Sequence, residues 1–503
     1  MASNGCLRAR GIEEADVVAI LMPNGPEIAL VLLCCMSQCV AAPLDPSTGE
    51  DDLSDAMVQL TARHAIWLQQ HKIYSNTIEV ACRKAGCRPQ PIVRAGTLAG
   101  HFSWAETVQR TLSGGLPGPA ADMDDTALVL RTSGTTSKPK VVPLTRRGLF
   151  TGATCIAHGL GLKTSDCCLN VMPLTHIGGI SCSLLSTLLT GGLVYCAPRF
   201  DPGSFLELCE SLRPQPTWYY AAPTIHKAIA LHCKRLPEPP KHSLRLARSG
   251  AANLADADAK ELREQLGGCI VLPTYSMSEC MPVAQPPEGY NLEKTGSVGV
   301  PIASSLRIAD SAGVALAYGH DGEVCIRGPV VMRGYKENAK ANADSFFKDA
   351  DDGESWFRTG DVGHLDDKGF LFLTGRCKEL IKRGGEQVSP YEVEEVLLAH
   401  PCVEIAVVFA VPNAFWGEEV AAAIVLKPGV QQTEQRDPDI ESALMVADGV
   451  SRTQPRTLAR SLSKRLADEV AFGLIGGRSE ALRSLRVSQE GIIGRRILLQ
   501  SGW

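Results

Sequence analysis

Thr132-Ser-Gly-Thr-Thr-Ser-Lys-Pro-Lys140 follows directly on an apolar run, residues 126–130. A short buried strand feeding a glycine- and hydroxyl-rich loop is the feature from which the rest of the chain is best read. Backbone N–H groups and hydroxyls in such a loop can wrap phosphate oxygens, and the two closing lysines add charge. The GxxxxGK[ST] spacing of a Walker loop is absent. Composition alone fits a surface turn equally well.

Upstream of the loop, residues 17–22 read as a short apolar strand ending at the turn signal Pro23-Asn24-Gly25-Pro26. The apolar stretch 28–43 contains Ser37 and Gln38 and is too short to span a bilayer. A buried helix running into a strand explains it. This βαβ rhythm predicts a largely parallel sheet covered by helices. Residues 112–121 are Gly/Pro-rich and read as a surface connection. Downstream, residues 322–372 change to short strands and turns, with 323–327 and 369–374 strand-like. A smaller α+β domain follows, with a helix over 390–400 and a strand over 403–411, and the pattern weakens beyond about residue 428.

A chain of 503 residues implies more than one domain. Hydrophobic residues are 45% and charged residues 21%, the balance of a soluble globular protein. A net charge of −5 argues against nucleic acid or an anionic membrane as the main partner. The 18 cysteines form no compact framework and no CxxC pair, so buried free thiols in a reducing compartment are expected. Met1-Ala-Ser-Asn-Gly-Cys-Leu-Arg lacks a signal-peptide core, and Ser501-Gly-Trp503 is not a peroxisomal address. These features lead to the expectation of a cytoplasmic protein with no membrane span.

Three later segments could complete a nucleotide site. Pro273-Thr-Tyr-Ser-Met-Ser-Glu279 follows the apolar stretch 269–272. An aromatic face such as Tyr275 can stack on a base, and a carboxylate such as Glu279 can hold Mg²⁺ beside phosphates. Taken singly, Tyr275 also reads as a core residue and Glu279 as a solvated charge. In Trp356-Phe-Arg-Thr-Gly-Asp361 the acid can accept ribose hydroxyls or cap a turn. Gly375-Arg-Cys-Lys-Glu-Leu-Ile-Lys-Arg-Gly-Gly-Glu386 is basic and glycine-rich, as a solvated loop would also be.

In this order and spacing the segments resemble the adenylate-forming superfamily of acyl-CoA synthetases, 4-coumarate–CoA ligases, luciferases and peptide-synthetase adenylation domains, over roughly residues 15–428. The runs 131–145, Ala222-Pro-Thr-Ile-His226 and Lys382-Arg-Gly-Gly-Glu-Gln-Val-Ser-Pro390 are most similar to oxalate–CoA ligases of plants and fungi. The resemblance implies an α/β adenylate-forming fold. A large AMP-binding N-terminal domain of βαβ-type sheets plus a small barrel would span 1–376, and a small mobile α+β domain 377–503.

It further implies that Thr132, Ser133, Gly134, Thr135, Thr136 and Lys140 meet the ATP phosphates. Ser249, Gly250, Ala251 and Ala252 would form the adenine-side turn, with Tyr275 against adenine. Ser278 stands where the family has threonine, and Glu279 matches the magnesium carboxylate. Asp361 and Arg376 match the ribose acid and an arginine that holds AMP, Lys378 the hinge. His176, Glu279 and Lys382 match catalytic positions. The acid pocket would be lined by His226, Arg248, Ser249 and Ser276. Arg248 is the candidate partner for a second carboxylate, with an arginine facing solvent as the alternative, and His226 also reads as structural. The implied reactants are ATP with Mg²⁺, a small carboxylic acid and CoA. The oligomeric state is left open.

The chain departs from the pattern at several places. Ser137 and Val141 stand where glycine is common, and Gly178 where close relatives carry histidine. The N-terminal part is short for the family. The family's late Gly-Lys-Ile segment is echoed only by Gly491-Ile-Ile-Gly-Arg-Arg496, with Ile492 at the lysine position and no lysine after Lys464. Three readings therefore stand: an acyl-CoA ligase, an adenylating enzyme with a carrier-protein acceptor, and a non-catalytic nucleotide- or acyl-binding relative.

Overall fold

The computed structural model describes residues 5–94, 102–104, 122–132, 139–384, 386–398, 400, 403–413, 415–426 and 496–497. The connection at 112–121, loop residues 133–138, Gly385 and Ile492 lie outside the described residues. Two compact units are present: one comprises residues 1–307, 325–359 and 365–372, the other 308–324, 360–364 and 373–503.

The first unit opens with a seven-stranded sheet in the order Phe102–Trp104, Arg88–Arg94, Ala62–Leu68, Val17–Leu21, Val40–Leu44, Thr126–Arg131, Val141–Thr145. Its inner pairs are parallel and its two outermost pairs antiparallel. Val17–Leu21 is buried at every position, as expected of a strand covered on both faces. Val17, Leu21, Trp67, Met57 and Val129 share one core cluster under it.

The flanking helices carry their own start and stop signals. Pro26 opens Pro26–Gln38, where its missing N–H leaves no bond unmade. Glu50, Asp51 and Asp52 occupy the first turn of Glu50–Leu60, where the helix dipole favours negative charge. Gly86, in the left-handed region, ends Lys72–Ala85. The Thr145 hydroxyl caps Arg146–Gly159 by accepting from Gly148 N at 3.0 Å.

A second, five-stranded parallel sheet runs Ile270–Pro273, Leu246–Ser249, Trp218–Ala221, Cys167–Asn170, Leu193–Cys196. Asn24, in the turn after the strand Val17–Leu21, joins the carboxyl ends of the two sheets. Its amide donates to Ala197 O at 2.7 Å and its carbonyl accepts from Leu174 N at 2.9 Å. A smaller antiparallel sheet follows from Tyr275–Met277, Cys280–Gln285 and Val300–Pro301.

The second unit holds an antiparallel sheet ordered Glu386–Val388, Ile381–Arg383, Gly417–Leu426, Val403–Asn413, with Arg496–Ile497 beside Gly417–Leu426. Helix Pro390–Leu398 packs on it through Val393 and Leu397 against Ile381, Val403 and Val408. Among the described residues the cysteines are free thiols, most of them buried. No described helix is long and apolar enough to cross a membrane.

Two departures noted in the sequence have packing reasons. Val141 is buried as the first residue of the strand Val141–Thr145, paired with Arg131, and its carbonyl accepts from Lys336 N at 3.0 Å. An extended strand suits a β-branched residue, so no glycine is needed there. Gly178 begins an eight-residue helix of wide, π-type winding, Gly178–Leu185. A Cβ at Gly178 would lie 2.4 Å from Tyr220 Cε1, and one at Gly250 2.7 Å from the Tyr220 hydroxyl. The buried Tyr220 ring therefore excludes any side chain at either position.

Gly178→Ala is expected to lower the urea midpoint by overpacking worth about 1–3 kcal/mol, without a change in the denaturant slope. An unchanged midpoint would show that the Tyr220 ring yields freely.

Candidate active site

In the five-stranded parallel sheet the strand Cys167–Asn170 pairs with its successor Leu193–Cys196 on one side and with Trp218–Ala221 on the other. The chain order reverses there, and ligands of open parallel sheets bind beyond the carboxyl ends of strands at such a point. Several proposed site residues of the first unit follow those ends, and Arg248 and Ser249 close the strand Leu246–Ser249. His176 comes after Asn170, His226 after Ala221, Gly250 to Ala252 after Ser249, and Tyr275 to Glu279 after Pro273.

The turn after Leu246–Ser249 is locally strained. Ala251 adopts φ 71°, a left-handed conformation that costs an L-residue about 1–2 kcal/mol. Such strain persists where the surroundings impose it and clusters at functional sites. Thr274 holds the turn's approach by donating from both its hydroxyl, at 2.6 Å, and its N–H, at 2.9 Å, to Ser249 O.

The ends of the loop at 132–140 close on each other. Thr132 N donates to Lys140 O at 2.9 Å, and Lys140 N donates to the Thr132 hydroxyl at 3.0 Å. The Lys140 ammonium lies 4.3 Å from the centroid of the Tyr335 ring. Ser133, Gly134, Thr135 and Thr136 lie outside the described residues.

Glu279 is buried, at 7% exposure, and one of its oxygens accepts from the Tyr335 hydroxyl at 2.7 Å. It is therefore no solvated charge. Burial first, and then the neighbouring carboxylate, push the Tyr335 phenol up, so that it stays protonated and donates. Tyr275 is buried on the strand Tyr275–Met277, and Ser278 is partly exposed beside it.

Arg248 is the residue expected to meet a second carboxylate. Its side chain is fully buried, against the alternative of a solvent-facing arginine. Nε donates to Gln285 Oε1 at 3.4 Å, Nη1 lies 3.3 Å from Cys182 Sγ, and the guanidinium sits 5.2 Å from the Tyr220 ring centroid. Nη2 has no hydrogen-bond partner among the described residues.

These neighbours carry no charge. Burial pushes the Cys182 thiol up even though the guanidinium opposes it, and burial pushes Tyr220 up to about 12. Among the described residues no carboxylate pairs with Arg248. The hydroxyls of Ser249 and Ser276 are likewise buried without partners there.

His226 is fully buried, with Nδ1 at 3.0 Å from the Tyr219 hydroxyl and its ring 5.4 Å from the Tyr219 ring. This is a buried packing environment, in which Nε2 has no hydrogen-bond partner among the described residues. His176 is exposed at the entry to the wide helix, and its carbonyl accepts from Ile180 N at 3.2 Å.

In the second unit Arg376 Nε lies 3.1 Å from the buried Asp361 carboxylate. Lys378 is exposed in the turn that follows. Lys382 is exposed on Ile381–Arg383, its N–H donating to Glu418 Oε2 at 2.6 Å. Tyr335, Gln285, Cys182 and Tyr220 were not singled out from the sequence. Tyr335 is 56 residues from Glu279 along the chain, and no local spacing marks the contact.

Burial lowers the His226 pKa from its ordinary 6.5 to about 4. A depressed folded value means that the unfolded chain binds the proton more readily. The stabilisation is complete above about 6.5 and is lost as pH falls toward 4. Urea unfolding at pH 7 and pH 5 is expected to differ by about 2 kcal/mol from this residue. His226→Gln should flatten that difference, and an unchanged pH slope in the variant would contradict the assignment.

Comparison with known proteins identifies the family. The model of the AMP-binding enzyme family matches residues 4–336, and that of the AMP-binding enzyme C-terminal domain matches residues 392–452. A probable CoA ligase of Humulus lupulus is 36% identical over 85% of this chain and 80% of its own length. An oxalate–CoA ligase of Arabidopsis thaliana is 35% identical over 84% and 81% respectively. The ATP-bound MatB structure from Rhodopseudomonas palustris superposes with a TM-score of 0.75 at 25% identity, over 89% of this chain and 85% of that one. The chain belongs to the AMP-binding, adenylate-forming enzyme family, in its acyl-CoA synthetase branch, as an AMP-forming acid–thiol ligase.

Proposed function

We propose that the acid this ligase activates is a small dicarboxylate of the oxalate type, and that Arg248 holds the carboxylate that does not react. The observation that carries this reading is the fully buried guanidinium surrounded by an amide, a thiol and a phenol, with Nη2 unpartnered among the described residues. A buried charge is normally paired, and its desolvation costs several kcal/mol. A carboxylate can engage guanidinium donors through strong, geometrically specific bonds. The oxalate–CoA ligase among the relatives supports the same substrate class.

The remaining residues divide the work. Thr132 and Lys140 close the loop proposed to hold the ATP phosphates, and the Gly250 to Ala252 turn with Tyr275 would hold adenine. Asp361 and Arg376 would hold the ribose and AMP.

Mg²⁺ fits the donor set. Among the described residues no cluster of three or more His, Cys, Asp or Glu could hold a metal unaided. Mg²⁺ is commonly held by one or two carboxylates plus substrate phosphates, and the buried Glu279 supplies one. When bound, the ion neutralises phosphate charge.

The first half-reaction has a carboxylate oxygen of the acid attack the α-phosphorus, with pyrophosphate leaving. In the second the CoA thiol displaces AMP, with Lys378 as the proposed hinge between the two steps. The protein is proposed to act in the cytoplasm. Ile492 at the position of the family's late lysine favours a second reading, in which nucleotide and acid bind without turnover. Acid-dependent pyrophosphate release decides between them.

Arg248→Met should separate stability from function. Removal of an uncompensated buried charge is expected to raise the melting temperature. The same change is expected to weaken oxalate-dependent pyrophosphate release about 10²–10⁴-fold, the equivalent of the roughly 3–5 kcal/mol lost when a buried ion pair is broken. A lower melting temperature with unchanged release would remove Arg248 from the acid site.

A further inference from the structure

Glu279 lies on the segment between the strands Tyr275–Met277 and Cys280–Gln285, and a lone carboxylate there could adopt several rotamers. The Tyr335 hydroxyl engages Oε1 at 2.7 Å. Tyr335 is itself pinned from four directions. Its N–H donates to Asn342 Oδ1 at 2.7 Å, and Asn342 Nδ2 returns a bond to Tyr335 O at 2.9 Å. Its neighbour Lys336 is tied through N–H to Val141 O at 3.0 Å, at the foot of the phosphate loop. Its ring meets Phe357 edge-on at 6.5 Å, and the Lys140 ammonium lies over it at 4.3 Å. Met332 N donates to Glu279 O at 2.8 Å, so the same segment also fixes the Glu279 backbone.

We propose that Tyr335 is a positioning residue for Glu279: its hydroxyl occupies one carboxylate oxygen and its ring aligns Lys140, which sets the metal-facing oxygen and the loop lysine on one rigid support. The inference rests on Glu279 being the carboxylate that receives the ATP-bound cation. Hydrogen-bonded partners behind metal ligands orient them, and their loss typically weakens metal affinity 10–100-fold. Tyr335 supplies such a partner without itself being a ligand. Its ring adds a cation–π contact that a phenylalanine would keep.

Tyr335→Phe in the full chain removes one oxygen and retains the ring. Mn²⁺ binding in the presence of a non-hydrolysable ATP analogue, followed by the free-ion electron paramagnetic resonance signal, is expected to weaken about tenfold. The Mg²⁺ concentration that half-saturates pyrophosphate release should rise in parallel, with turnover recovered at excess Mg²⁺. Glu279→Gln serves as the control. If Glu279→Gln weakens Mn²⁺ binding and Tyr335→Phe does not, the positioning role is overturned while the metal role of Glu279 stands. If neither variant changes the isotherm, the metal role of Glu279 falls and the role of Tyr335 with it. A lowered melting temperature and slower turnover without any shift in Mn²⁺ affinity would mark Tyr335 as structural and overturn the proposal.

Discussion

A guanidinium shut away from water with only neutral neighbours is the constraint around which the first unit is organised. Arg248 lies on a central strand of the five-stranded parallel sheet, where the register sets it beside Tyr220 on one side and Leu272 on the other. Gln285, Cys182 and the Tyr220 ring surround it without carrying charge. The Tyr220 ring in turn leaves no space for a side chain at Gly178 or Gly250. The Tyr220 ring thus packs against the start of the wide helix, the turn at Gly250 and the guanidinium of Arg248. On the proposed reading, a ligand carboxylate supplies the missing partner of that charge.

The nucleotide side follows the opposite logic. Its carboxylate, Glu279, is held by a neutral donor rather than neutralised by a cation. Lys140, at the end of the loop proposed to hold the phosphates, sits over the face of the same tyrosine. With Glu279 at the hydroxyl of this ring and Lys140 over its face, the proposed roles toward ATP and its cation keep the two groups unpaired with each other. A direct Lys140–Glu279 ion pair would satisfy both groups and blunt the site. The tyrosine is held by one long-range tether, Lys336 to Val141, and one local one, Asn342 to Tyr335.

Much of the architecture was legible because it rests on local patterns. The apolar run at 17–22 and the stretch 28–43 became the strand Val17–Leu21, the helix Pro26–Gln38 and the strand Val40–Leu44. The helix and strand expected after residue 390 are present as Pro390–Leu398 and Val403–Asn413. Candidate residues such as Glu279 and Arg248 could be named because the order and spacing of their segments resemble those of the adenylate-forming enzymes. What could not be read was pairing at long range. Tyr335 reaches Glu279 across 56 residues, and Arg248 reaches Cys182 across 66. No periodicity encodes such contacts. Val141 likewise resembled a loop residue out of place until the strand ladder showed it beginning an extended segment.

The proposed function depends on one recognition event, a second carboxylate meeting the buried Arg248 guanidinium. The most direct test is acid-dependent ATP–pyrophosphate exchange by the wild-type protein, with oxalate compared against glyoxylate, an acid of the same carbon skeleton with one carboxylate replaced by an aldehyde. The account calls for exchange with oxalate that exceeds exchange with glyoxylate by at least about 10²-fold, the discrimination expected when a buried ion pair is left half-made. Equal exchange with the two acids would contradict it.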